Sequence, residues 1–308
     1  MHRRAADSRL RRAAAVLAVA GIGAAAFVAL PGAAADERSA APGAVLFDDF
    51  DYTAHDDPRL RQNGWIVKSG DGGPGLADAV WTPENVTFQH GAGSSVLNLE
   101  AGTDGTEAGT EQSELFTAGM KFTEGTYAAR VRFSDEPRFG PDGDRVVQTF
   151  FSINDLTAPM APDYAEYDFE YLPNGGWGES GNVMFTTSWE TYQPDPWLSD
   201  NESTADRASY AGWHDLVFTI DDTEIVYWID GERFATHGAY YLPERPMSIN
   251  VNQWFIDLEG LDSDQPRAYD QQVDYVYYAE GVVLGPEEVR AEVEALRADG
   301  VAFRDTVG

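Results

Sequence analysis

The run Glu166-Tyr167-Asp168-Phe169-Glu170 sets three carboxylates at every second position of a short apolar stretch. Alternate side chains of a β-strand share a face, so the three acids project together while Tyr167 and Phe169 point the other way. Like charges crowded on one face cost stability. Crowding also drives proton affinities apart, leaving one acid ionised and another protonated near neutral pH. Those are the nucleophile and the proton donor of glycoside hydrolysis, whose retaining form needs the two carboxyl groups about 5–5.5 Å apart. On a flat strand, residues i and i+4 lie about 13 Å apart at Cα. Glu166 and Glu170 therefore meet across a sugar only if the strand curves and the side chains lean inward, with Asp168 between them to hydrogen-bond the nucleophile. Taken alone, the string also fits a solvated acidic edge strand.

The elements that must position these acids are strands. From Val45 to about Tyr278, short alternating runs are separated by Gly, Asp, Asn and Pro. They include Ser95–Glu100, Gly125–Phe133, Val146–Ile153, Tyr164–Leu172, Val183–Ser188, His214–Ile220, Glu224–Ile229, Glu232–Thr236, Met247–Val251 and Gln272–Tyr278. Asp230-Gly231 is a type I′ hairpin signal. So many strands in one region predict an all-β, two-sheet sandwich, and the stretches 137–145, 155–163 and 190–210 read as long loops. After Gly281, Pro286 opens a run with Val289, Val293 and Leu296 at helical spacing and Gly300 just past its end. That pattern predicts a short amphipathic helix in a C-terminal extension over 281–308.

Residues 1–35 carry an arginine-rich front, an apolar stretch from Ala13 to Leu30, and Ala33-Ala34-Ala35 as a small-residue ending. They read as a cleaved signal peptide, followed by a disordered lead over 36–44. The apolar stretch is also nearly long enough for a membrane anchor, but its alanine-rich character and ending favour cleavage. A secreted, extracellular protein with no membrane association after cleavage is expected. Removing 1–35 takes away five arginines and Asp7, leaving 16 basic residues against 51 acidic, a formal charge of −35. Such a surface repels nucleic acid, anionic lipid and uronic or sulfated glycans, and leaves neutral or cationic substrates. The chain has no cysteine, which excludes thiol catalysis, and its five histidines show no paired helical spacing for zinc or iron.

Ordered blocks along the chain add a resemblance. FDDF at 47–50, VWTPENVTF at 80–88, GTYAARVRF at 125–133, VVQTFFSIN at 146–154, EYDFEYLPNGGWG at 166–178, WHDLVFTIDDTEIVYWIDG at 213–231, PMSINVNQWF at 246–255 and VDYVYY at 273–278 resemble, in order, blocks of glycoside hydrolase family 16. That family includes lichenases, laminarinases and xyloglucan transglycosylases. The resemblance implies a β-jelly-roll catalytic domain over 45–280 with a concave substrate cleft. It implies Glu166 as nucleophile, Asp168 as the assisting acid and Glu170 as general acid/base, in a double displacement that retains configuration. The uninterrupted spacing is similar to that of lichenases and transglycosylases rather than to the bulged strand of laminarinases.

By the same resemblance, Trp81, Glu114, Asn252 and Trp254 are expected to bind substrate, and Trp177, just beyond the catalytic strand, and Trp189 are further candidates, the indoles stacking on sugar faces. Asp274 matches a position that contributes a ligand to a structural calcium; catalysis itself needs no cofactor. Phe185-Thr186-Thr187 stands where lichenases carry an asparagine, and Leu115-Phe116 where they carry an arginine, so the sugar and linkage stay open. The expected protein is a monomeric, endo-acting β-glucanase on a neutral polysaccharide, with a β-1,3/1,4-glucan in first place. The alternatives are a transglycosylase on the same site, a lectin-like jelly roll that binds without cleaving, and a polysaccharide lyase. The last is disfavoured because lyases need cationic neutralisers and a Tyr or His base.

Overall fold

The structure, a computed structural model, describes residues 43–91 and 95–308. The signal peptide expected over 1–35 and residues 36–42 of the lead lie outside the described residues. Ala44, at the end of that lead, already accepts a hydrogen bond from the Glu280 amide at 2.9 Å.

Two antiparallel sheets face each other. One runs, edge to edge, through Trp65–Val67, Glu111–Thr117, Ser248–Asp257, Arg145–Ile153, Glu166–Leu172, Val183–Pro194 and Trp197–Asp206. It is called the cleft sheet below. The other, the outer sheet, runs through Val86–His90, Ser95–Thr103, Arg267–Glu280, Gly125–Phe133, Gly212–Ile220, Glu224–Ile229 and Glu232–Gly238. Val45–Asp48 pairs with the far half of Arg267–Glu280, beside the Ser95–Thr103 pairing. Between the sheets lies an aromatic core in which Phe150, Tyr167, Phe169 and Phe218 are buried. Tyr127 stacks on Phe218 with ring centroids 4.5 Å apart, an arrangement that adds to the free energy of burial.

The strand Glu166–Leu172 follows the two-residue period of its sequence. Tyr167, Phe169 and Tyr171 enter the core, so their burial anchors the strand and turns the three acids to the opposite face. Its register with both neighbours runs without a shift, the regular geometry that the spacing called for. Asp230 and Gly231 have φ of 52° and 83°, the two left-handed positions of a type I′ turn.

Two segments differ from expectation. Residues 190–210 are no loop: Val183–Pro194 and Trp197–Asp206 form a long hairpin. Trp197–Asp206 is an edge strand with no buried residue, so nothing in its sequence had to alternate between apolar and polar. The C-terminal extension is a helix plus a strand. Pro286–Ala298 buries Val289, Val293 and Leu296 against Phe47, Tyr275 and Tyr277 of the outer sheet. Glu288 accepts from the Gly285 amide at 2.7 Å, closing the first turn. Gly300, at φ 69°, ends the helix, with the Val301 amide donating to Leu296 O. Phe303–Asp305 then pairs with Val45–Asp48, a strand too short for its sequence to announce.

Candidate active site

Strand register builds the site row by row across the cleft sheet. Glu170 lies opposite Thr149 on one side and Phe185 on the other; Thr149 lies opposite Asn252, which lies opposite Glu114. Asp168 sits between Phe151 and Thr187, and Glu166 between Ile153 and Trp189. These side chains line one cleft of about 1000 Å³, together with Tyr164, Trp177, Tyr192, Trp197, Trp254 and Ile256.

The three acids have unequal surroundings. Glu166 accepts a hydrogen bond from the Tyr164 hydroxyl and is hydrogen-bonded by Asp168. Asp168 accepts from Trp189 Nε1 at 2.8 Å. Glu170 has no side-chain hydrogen bond among the described residues. Burial raises Glu166 to about 7, opposed by the hydrogen bonds from Tyr164 and Asp168. Burial, and then the charge of Glu166, raise Glu170 to about 8. Burial and both glutamates push Asp168 well above the usual carboxylate range, against the Trp189 hydrogen bond. The difference between the two glutamates follows from elementary electrostatics: Glu166, with donors aimed at it, ionises before Glu170, which has none.

A polar rail runs from the edge of the sheet to Glu170. Lys68 Nζ donates to Glu114 Oε2 at 2.6 Å, Asn252 lies opposite Glu114 in the strand register, and Thr149 Oγ1 donates to Asn252 Oδ1 at 2.7 Å. Burial raises the Glu114 carboxyl, and the Lys68 ammonium opposes that rise. Two aromatic groups flank the trio along the strand direction. Trp177 stands beside Phe185 and Trp254, with centroids 6.2 and 6.0 Å away, near the Glu170 row. Trp189, in the Glu166 row, clusters with Tyr192 and Trp197, the three within 5.8–6.3 Å of one another. Trp177 is 50% and Trp197 61% exposed, and both line the cleft.

The structure thus gathers Glu114, Glu166, Asp168, Glu170, Trp177, Trp189, Asn252 and Trp254 in one place. Trp81 departs from its expected role. Its indole is only 1% exposed, is covered by Lys68 at 3.9 Å from the ring centroid, and donates to Gly72 O. It supports the Lys68–Glu114 pair from behind and has no face free for a sugar. Asp274 departs as well. It lies on the outer sheet, and its oxygens accept from Arg297 Nη1 at 3.2 Å and Nη2 at 3.0 Å. The same guanidinium reaches Asp49, with Nε donating at 2.8 Å. No group of three or more metal-ligating side chains occurs among the described residues. What bears on the fit is charge: the Arg297 guanidinium, a fixed cation of the chain, already pairs with both Asp49 and Asp274, a donor set that does not suit calcium.

Lys68, Thr149, Tyr164, Tyr192 and Trp197 line the cleft without having been singled out from the sequence, and Phe185, noted there only as a departure from the lichenase pattern, lines it too. Thr149 and Phe185 follow from register once the strands are paired. Tyr164 continues the alternation of Glu166 two residues upstream, a signal that the sequence did hold.

The two-sheet jelly roll is the fold of solved glycoside hydrolase family 16 structures, and this chain shares that fold. A β-glucanase of Bacillus licheniformis aligns over 77% of this chain and 99% of its own, with a TM-score of 0.55 and 14% identity. A β-1,3-1,4-glucanase (lichenase) from a mouse hindgut metagenome covers the same shares at a TM-score of 0.54 and 18% identity. A Mycobacterium tuberculosis protein, described as an immunostimulatory antigen and pseudo β-1,3-glucanase, also covers the same shares, at 0.55 and 18%. No protein-family model matches the chain, and no curated protein matches it in sequence.

Proposed function

We propose that this protein is a retaining glycoside hydrolase that cuts within a neutral β-glucan chain by double displacement. The observation that carries the proposal is the trio of unequal acids facing one cleft, with donors on Glu166 and none on Glu170. Glu166, the first to ionise, attacks the anomeric carbon, while protonated Glu170 gives its proton to the departing glycosidic oxygen. A covalent glycosyl ester on Glu166 results. Glu170, now ionised, takes a proton from water as that water attacks the ester, which restores both acids and the original configuration. Asp168, kept protonated by its neighbours, donates to Glu166 as its charge changes through the cycle.

The cleft supports the substrate class. Lys68, the one Lys or Arg lining the cleft among the described residues, is committed to Glu114, so an anionic glycan finds no free cation where a neutral one meets hydrogen-bonding groups and indole faces. Export is part of the proposal, supported by the arginine-led apolar stretch and alanine ending of residues 1–35. One neighbour's description as a pseudo-glucanase raises a binding-only reading, against which the complete carboxylate trio argues. The test is purified protein on a panel of neutral β-glucans, β-galactans and chitosan, reading reducing ends and product sizes. Oligosaccharides released from a β-glucan by the wild type, and by neither Glu166→Gln nor Glu170→Gln, are expected. Binding to a glucan without any release would overturn hydrolysis in favour of a lectin-like role.

A further inference from the structure

The Tyr164 side chain is almost wholly buried, 1% exposed, and its hydroxyl donates to Glu166 Oε2. A buried phenol needs a partner; the carboxylate is the acceptor it has. The ring is held edge-on by Tyr192, with centroids 5.2 Å apart. The backbone that carries it is pinned from both sides. Asn154 Oδ1 accepts from the Ala165 amide at 3.1 Å, and Asn154 Nδ2 donates to Asp163 O at 3.1 Å. Arg245 Nε donates to Asp163 O at 3.2 Å, and Arg245 Nη2 donates to Asp155 O at 2.7 Å. The loop before the strand is thereby fastened, and the hydroxyl arrives at the carboxylate with little freedom left to lose.

We infer that Tyr164 is a positioning residue for Glu166: its fixed hydroxyl holds one carboxylate oxygen, aims the other into the cleft and favours the ionised form. This rests on the reading of Glu166 as nucleophile. Around Glu166, the other titratable groups are Asp168 and Glu170 on its own strand, Tyr192 on the neighbouring strand and Tyr227 on the core side. None of these is a cation. Without a positive charge nearby, the hydroxyl and Asp168 are the groups that lower the proton affinity of Glu166 against its burial. Hydrogen bonds to a charged group are stronger than neutral ones, so losing one of the two is expected to be felt as a shift in titration.

The test is Tyr164→Phe, which keeps the buried ring and its contact with Tyr192. The ¹³C shift of the Glu166 side-chain carboxyl, in protein labelled at glutamate and assigned with Glu166→Gln, is followed with pH in wild type and variant. This readout needs no turnover. The Glu166 midpoint is expected to rise by about one pH unit in the variant, as roughly a tenfold change in the protonation equilibrium. Where the protein hydrolyses a glucan, the acid limb of kcat/KM is expected to move up with it, with the largest loss at low pH and a smaller one on the plateau. An unmoved midpoint, or an equal loss of activity at every pH, would overturn the inference. A protein that cleaves no glycan would instead sink the hydrolase reading and leave the titration result to decide on Tyr164.

Discussion

Replacing Glu170 by glutamine should make the protein more stable in base and leave it unchanged in acid. Glu170 is buried, has no hydrogen-bond partner among the described residues, and is raised from 4.5 to about 8 by burial and by Glu166. A group whose folded pKa lies above its unfolded value supports the fold fully below about 4.5; that support is lost as pH rises through about 8. At about 1.36 kcal/mol per pKa unit, the cost of ionising Glu170 in the fold has an upper bound of roughly 5 kcal/mol. The cleft admits water and the three acids share the burden, so about 2 kcal/mol is the working expectation. For a domain of this size that corresponds to a Tm difference of about 4–8 °C. The assay is thermal unfolding of wild type and Glu170→Gln, by calorimetry or circular dichroism, from pH 5 to pH 9. The two should melt within about 1 °C at pH 5, and the variant should melt higher at pH 9 by the amount given. A difference that does not change with pH, or a wild type that is the more stable at pH 9, would refute the assignment of Glu170 as a desolvated, proton-holding acid.

Asp168→Asn should keep the fold and lower kcat by about 10–100-fold, since an amide still donates to Glu166 but cannot adjust its proton as the charge changes; steady-state kinetics on the active glucan checks it. Trp197→Ala should raise KM for long oligosaccharides several-fold and leave the shortest cleaved substrate unaffected, because the ring stands at the far end of the aromatic cluster; a chain-length series of KM values reads this. Arg297→Ala leaves Asp49 and Asp274 facing each other without their cation. It should cost about 1–2 kcal/mol, or a few degrees in Tm, discounted for partial exposure. Wild-type Tm should not fall on addition of a chelator.

The parts of this molecule legible in its sequence are those where one residue type had to recur for one reason. Tyr167, Phe169 and Tyr171 must alternate with Glu166, Asp168 and Glu170 because the strand has a core face and a cleft face. Val289, Val293 and Leu296 must recur at helical spacing because one stripe of the helix is buried. Trp197–Asp206 carried no such constraint and read as a loop, although backbone pairing with Val183–Pro194 makes it a strand. Trp81 shows the opposite limit. An indole near a cleft motif serves equally as platform or as support, and only the Lys68 ammonium above it and the Gly72 carbonyl beside it separate the two. Asp274 is assigned by position alone, while its partner Arg297 lies in the C-terminal helix, whose docking beside Asp274 the helical spacing does not announce.

The central claim, that Glu166 attacks and Glu170 handles the proton, is most directly tested by azide rescue of Glu166→Ala and Glu170→Ala on an activated aryl β-glucoside oligosaccharide. Azide should restore turnover of both variants, giving the α-glycosyl azide from Glu166→Ala and the β-glycosyl azide from Glu170→Ala, as resolved by proton NMR of the products. The reversed pairing of anomers would contradict the account, as would two variants that azide leaves inert while the wild type cleaves the same substrate.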